Sequence, residues 1–190
     1  MNIFFLHRDP RICAMMHCDK HVVKMIVEAT QLLYICHYLL GSPLHPTAYK
    51  STHRKHPCAL WLTQSIENYL WTIQLAWALA DEYRFRYGQH KMHKCEIHLV
   101  WLENHNPIGI PQIKMTMPAM AMKDHYKCSD NAMVSYRHYY LVSKHLERGF
   151  VKYTNRPWPD FLLQKATQET DCNIHCNQTE CAHKPKLHTD

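Results

Sequence analysis

Three features of the sequence predict an all-α fold. Apolar residues recur at helical spacing over residues 10–40, 58–87 and 130–148. Each run opens on a capping side chain or a proline, and each closes on a glycine. With 190 residues, 46% hydrophobic and 20% charged, the chain can bury a core and has an ordinary globular composition, which excludes disorder throughout. The expected architecture is a compact single domain of about four to five helices over residues 1–166, with a long proline-containing loop and a Cys/His-rich polar tail at 167–190.

Asp9 followed by Pro10 marks a helix start, and Gly41 a stop, with a break near Cys18-Asp19 dividing this span into a short and a long helix. Residues 42–56 lack periodicity and carry Lys50, His53, Arg54, Lys55 and His56, so they read as a basic surface loop. Pro57 opens a second helix whose apolar positions run from Leu62 through Tyr69, Ile73 and Trp77 to Ala80, ended by Gly88. A third helical segment spans about His90 to Glu103. The aperiodic stretch after it contains Pro107, Pro111 and Pro118 and is long for a connection, which suggests a binding loop. Asp130 or Ser129 caps a fourth helix reaching Arg148, and Pro159 precedes a short fifth one at 160–166. On the fourth helix Tyr136, Tyr140 and Ser143 share one face, expected at the surface, while Tyr139, Val142 and Leu146 share the face expected in the core.

Composition narrows the function. Only four glycines occur, so a phosphate-cradling glycine loop is absent, which argues against nucleoside-triphosphate and dinucleotide enzymes. The net charge of +6, before counting 17 histidines, favours an anionic partner such as nucleic acid. Nine cysteines, an odd number scattered through helical patterns, fit a reducing intracellular compartment better than a disulfide framework. The run Ile3-Phe4-Phe5-Leu6 is too short for a signal sequence, and no stretch approaches the roughly 18 apolar residues of a membrane span. An intracellular protein without a membrane partner is expected.

The stretch from Cys18 to Gln31 carries the most chemistry. At about 3.6 residues per turn, His21, Lys24, Glu28 and Gln31 share one helix face, beside an apolar stripe of Val22, Val23, Ile26, Ala29, Leu32, Leu33 and Cys36. The polar face is either solvated, with a Lys24–Glu28 ion pair, or one wall of a cleft. Asp19-x-His21, Glu28 seven residues on, the basic loop ending in His56-Pro57, Trp61, and the helix closing on Arg86-Tyr87-Gly88 together resemble the pyrimidine-dimer DNA glycosylase (endonuclease V) family and its uncharacterised bacterial and phage relatives. The resemblance covers roughly residues 1–90.

That resemblance implies a base-excision glycosylase and abasic-site lyase acting on damaged pyrimidines in DNA without a cofactor. The catalytic set would be Glu28 as the carboxylate, His21 in the substrate site, and the α-amine, here that of Met1, as the nucleophile. An α-amine keeps less charge near neutral pH than a lysine side chain does, and needs no desolvation to attack C1′. The sequence departs from the family at three places. Asn2 stands where the family exposes a small threonine, Val27 where it has an arginine before the glutamate, and Gln31 where another arginine contacts substrate. Lys20 and Lys24 can supply the missing charge.

DNA contacts are expected from Lys20, Lys24, Gln31, Lys50, His53, Arg54, Lys55, His56 and Arg86, with Tyr136, Arg137 and Tyr140 from the stretch where aromatics and cations interleave. The tail offers Cys172, His175, Cys176, Cys181 and His183, enough ligands for a tetrahedral zinc site. Two other functions compete with the glycosylase: a nucleic-acid-binding or virion-associated structural protein without catalysis, and a metal-dependent enzyme using His17, His21, His53 or His56.

Overall fold

A computed structural model describes residues 1–146 and 151–163. Its elements are α1 (Pro10–Met15), α2 (Asp19–Leu39), α3 (Pro57–Leu62), α4 (Ile66–Tyr87), α5 (Glu96–Asn104), a 3₁₀ turn (Asp124–Tyr126) and α6 (Ala132–Tyr139), which runs on as a π-helical segment (Tyr140–Leu146). Residues 160–163 are also helical, and no strand occurs among the described residues. The fold is all-α. The chain divides into Met1–Pro157 and Trp158–Asp190, and α1 to α6 belong to the first unit.

Local chemistry sets most boundaries. The Asp9 carboxylate accepts the Arg11 and Ile12 amides at 2.7 and 3.1 Å, which starts α1 and holds its carboxyl below the usual range. Cys18 precedes α2 without a side-chain cap; its amide donates to the Tyr140 hydroxyl at 2.8 Å. Gly41, at φ +62, lets Ser42 N–H return to the His37 carbonyl at 2.9 Å and close α2.

Helix α2 is the centre of the packing, set against α3, α4 and α5. It is long and apolar enough to cross a membrane by length and composition, with 61% of its most apolar window buried in the protein. The sequence reading that no stretch approaches that length is therefore corrected, although a core helix meets the same criterion. Val23, expected in the buried stripe, is 37% exposed.

The expected continuous helix over 58–87 is two helices. Ser65 Oγ accepts the Glu67 amide at 3.1 Å and lies 2.6 Å from the Ile113 carbonyl, to which it donates, so it starts α4 and ties it to the loop. The helical period continues through Thr63 and Gln64, which hid the break. The third helix begins at Glu96, later than expected, and Asn131, in place of Asp130 or Ser129, caps α6 by accepting the Met133 amide at 3.0 Å.

The long loop after α5 is a strap bonded along α3 and α4. Ile66 N–H donates to the Pro111 carbonyl, Asn68 exchanges bonds with Thr116 at 2.8 and 2.9 Å, and Trp61 Nε1 reaches the Thr116 carbonyl. These bonds satisfy backbone groups that an extended segment would otherwise leave unpaired.

Candidate active site

The N-terminal segment brings the site together. Ile3, Phe4, Phe5 and Leu6 are all buried, and this anchoring delivers residues 1 and 2 to the polar face of α2. The Met1 amine lies 3.8 Å from Glu28 Oε2, the Asn2 amide donates to the same oxygen at 2.8 Å, and Lys24 Nζ sits 3.2 Å from Oε1. Glu28 is thus buried, 8% exposed, and its charge is met by one ammonium on each oxygen and one amide. Of the two sequence readings of this face, the cleft is the one observed, and the Lys24–Glu28 pair forms part of its wall.

A cavity of about 240 Å³ opens here, lined by Met1, Asn2, Phe4, His21, Lys24, Glu28, Ala121 and Tyr139, among others. A larger cleft of about 640 Å³ lies elsewhere, beside Asp9, Trp77 and Glu103. Its lining carries the carboxylates of Asp9, Asp81 and Glu103 but no α-amine and no histidine, so size does not identify the site.

Asn2 fixes the chain end. Its side-chain amide donates to the Ala121 carbonyl at 3.0 Å, and its Oδ1 accepts the Ile3 amide at 2.8 Å and lies 3.0 Å from the Tyr136 hydroxyl and 3.7 Å from Cys58 Sγ. Tyr136 also takes the Ala121 amide at 3.1 Å. One half-buried hub therefore links the chain start, the strap and α6.

His21 stacks on Phe4, with ring centres 4.8 Å apart and planes at 19°, and its Nδ1 is 2.8 Å from the Tyr140 hydroxyl. His56 approaches from the basic loop. Its Nδ1 accepts the Cys58 amide at 3.2 Å; burial, then the charge of the N-terminal amine, lowers its pKa, partly offset by a bond to the Met1 backbone. Burial pushes the Cys58 thiol up to about 11, which keeps it protonated at neutral pH and unsuited to act as a nucleophile.

The expected site residues divide into three groups. Met1, His21, Lys24, Glu28 and His56 meet at or beside the cavity. Lys20, Lys50, His53, Arg54 and Lys55 are exposed, with the Arg54 guanidinium 5.4 Å above the Tyr38 ring; Gln31 is half-buried on α2. Arg86, Tyr136 and Tyr140 are corrected. Arg86 is 4% exposed and is held by Glu82 at 2.9 Å, Asp19 at 3.0 Å and the His17 and Met15 carbonyls, so it reaches no ligand. Tyr136 and Tyr140 are fully buried, and Tyr139 and Val142, expected in the core, are half-exposed. Both faces of α6 carry tyrosines, so spacing could not orient it. Arg137 donates from Nε to the Leu6 carbonyl at 2.9 Å, which spends part of its guanidinium on structure.

Sequence reasoning missed Phe4, Asn2, Cys58, Ala121 and Tyr139 as site residues. Phe4 looked like any core residue, and Ala121 enters through a backbone carbonyl, which no sequence pattern marks. Among the described residues no group of three or more His, Cys, Asp or Glu is placed to hold a metal ion. His17 is fully buried, with its ring centre 6.5 Å from that of His21, and His53 is exposed on the basic loop. The tail ligands Cys172, His175, Cys176, Cys181 and His183 lie outside the described residues. No protein-family model matches this chain, and no curated protein or solved structure does either.

Proposed function

We propose that the protein is a DNA-binding base-excision glycosylase and abasic-site lyase that acts on damaged pyrimidines through a Schiff base. The observation that carries this reading is the α-amine of Met1 at 3.8 Å from the buried carboxylate of Glu28, facing a cavity with an exposed lysine at its edge. The distance is close enough for proton transfer directly or through one water once substrate is bound.

In this mechanism the neutral amine attacks C1′ of a nucleotide taken out of the stack. The glycosidic C1′–N bond breaks, its electron pair leaves with the base, and a proton is delivered to the base. Loss of the amine proton and opening of the C1′–O4′ bond, with a proton going to O4′, give the iminium. Removal of a C2′ proton then expels the 3′ phosphate, and water releases the amine. Glu28 accepts the amine proton and returns it to the leaving group or O4′, while its negative charge stabilises the iminium.

The register of the chain start matters. The nitrogen of Asn2 lies nearer Glu28 than that of Met1, at 2.8 Å. Excision of Met1 would leave an α-amine already hydrogen-bonded to the carboxylate, so the intact mass identifies which residue carries the nucleophile.

Borohydride reduction in the presence of ultraviolet-irradiated or abasic-site DNA tests the reading, because it converts the Schiff base to a stable amine. A covalent adduct is expected, lost when the terminal amine is blocked. Glu28→Gln should cut strand cleavage by about 100-fold or more while leaving DNA affinity within a few-fold. Absence of an adduct on both substrates, with DNA binding intact, would reject catalysis and leave the nucleic-acid-binding protein as the function. Trapping that survives the block and vanishes in Lys24→Ala would move the nucleophile to that side chain.

A further inference from the structure

We propose that His56 is the positioning residue of the chain start: its ring holds the Met1 carbonyl and thereby sets where the α-amine stands relative to Glu28. The inference rests on the proposed glycosylase reading for what that amine does, and it adds the residue that aims it.

Each ring nitrogen of His56 has its own task. Nδ1 accepts the Cys58 amide at 3.2 Å as the N-cap of α3, so in the neutral ring the proton is on Nε2. The ring also bonds the Met1 backbone, in the sense that favours its protonated form. A bond of that sense needs an acceptor, which on Met1 is the carbonyl, and Nε2–H is the donor left to reach it. Burial, then the charge of the N-terminal amine and more weakly that of His53, keeps the ring neutral, against the carbonyl bond and the charge of Glu28. A second proton would sit on Nδ1 and face the Cys58 N–H, which breaks the cap.

The clamp is itself fixed at both ends. On the loop side the His56 amide donates to the His53 carbonyl at 2.9 Å, and on the helix side the Ala59 and Leu60 amides return to the His56 carbonyl at 2.9 and 3.1 Å. The same turn of α3 reaches the next residue of the chain start, since Cys58 Sγ lies 3.7 Å from Asn2 Oδ1. The first turn of α3 therefore meets Met1 through His56 and Asn2 through Cys58.

Aiming the amine takes two anchors. The Met1–Asn2 peptide is planar, and Glu28 holds its N–H edge at 2.8 Å while His56 holds its carbonyl edge. With both edges held, the amine keeps only the rotation about the Met1 Cα–C bond, and the Met1 side chain, 7% exposed, restricts that. Without His56 the plane turns about the Asn2–Glu28 bond and carries the amine with it. A shift of about 1 Å in a reacting atom costs on the order of 100-fold in rate.

Two substitutions in the full-length protein separate the two nitrogens. His56→Asn keeps an acceptor near the Nδ1 position and is a good N-cap, but it is too short to reach Met1; His56→Gln carries an amide nitrogen to the Nε2 position and gives up the cap. The single-turnover rate of borohydride trapping at saturating abasic-site DNA should fall by about 10- to 100-fold in His56→Asn, with DNA affinity within about threefold of the parent. His56→Gln should trap faster than His56→Asn. The opposite order is what a cap alone would give, and it would overturn the proposal, as would a parental rate in both. A second measurement needs neither DNA nor catalysis: acylation of the Met1 amine by acetic anhydride at one pH, read from the mass of the N-terminal peptide with lysine peptides as the reference. The released amine of His56→Asn should react several-fold faster than that of the parent, and His56→Gln should stay close to the parent. Equal acylation in all three proteins, with trapping intact, rejects the role of His56 and leaves the glycosylase reading standing. No trapping by the parent, with acylation divided as expected, rejects the chemistry and keeps His56 as the residue that positions the amine.

Discussion

His17 donates from Nδ1 to the Cys13 carbonyl at 2.7 Å, and its Nε2 is buried without a partner. Burial, with a smaller effect from the nearby Arg86 charge, lowers its pKa to about 4, although the Cys13 bond and the charge of Glu82 oppose this. The folded state therefore resists a proton that the unfolded chain accepts near pH 6.5. Stability from this group is complete above pH 6.5 and is lost as pH falls toward 4. Between pH 6.5 and 5 the loss from His17 alone is about 2 kcal/mol. His37, His56, His93 and His98 are shifted in the same direction, each mainly by burial, so they add to the slope. Asp9 and Asp19 are lowered and act only at more acid pH. Urea denaturation at steps from pH 7.5 to 5 should show this decline, and His17→Gln should flatten it; an unchanged slope in that variant would contradict the assignment. Residues of this kind mark the limit of what the sequence reveals. Glu28 and His21 were legible because a motif resemblance picked them out, whereas the partners that fix Glu28, the amine of Met1 and the amide of Asn2, come from 26 or more residues away along the chain and depend on tertiary packing.

At the scale of elements, helix ends were legible wherever one side chain decides them, as with Asp9-Pro10, Gly41 and Gly88. They were illegible where a distant group decides, as at Ser65, whose hydroxyl is committed to the strap, and at Cys18, whose amide is met by Tyr140. Arg86 shows the same divide. As the residue before Tyr87-Gly88 it looked like a DNA contact, yet its guanidinium joins α4 to α1 and α2 through Glu82, Asp19 and two carbonyls. Arg156 adds a second cation on Glu82. Removing one partner from such a buried network leaves charge without compensation, so Arg86→Met should destabilise the fold by about 3–5 kcal/mol. Thermal unfolding followed by circular dichroism measures this. DNA affinity, taken at a temperature where the variant is folded, should be unaffected. A stable variant with weakened DNA binding would restore Arg86 to the binding surface.

Across the whole molecule, the charge distribution gives the candidate site its approach route. Lys20 and Lys24 project from α2 and are exposed, with Lys24 at the cavity. The basic loop presents Lys50, His53, Arg54 and Lys55 to solvent and ends at His56, which bonds the Met1 backbone beside Glu28. His53 adopts a left-handed φ of 54°, a conformation that costs a non-glycine residue about 1–2 kcal/mol, and its carbonyl accepts the His56 amide at 2.9 Å. The loop is thus held in a turn that delivers His56 to the chain start. Phosphates meeting this surface would release counterions, so the affinity for DNA should fall steeply with salt. Neutralising Lys20, Lys24 and Arg54 together should weaken binding and flatten the plot of log affinity against log salt, by about 0.9 in slope for each duplex phosphate that the protein no longer neutralises. The three side chains are exposed and Lys24 alone touches Glu28, so a version changing only Lys20 and Arg54 separates phosphate binding from any disturbance of the carboxylate. It should reduce the slope without altering the yield of borohydride-trapped adduct at saturating DNA. A slope equal to the parent's in both variants would mean that DNA meets the protein on another face.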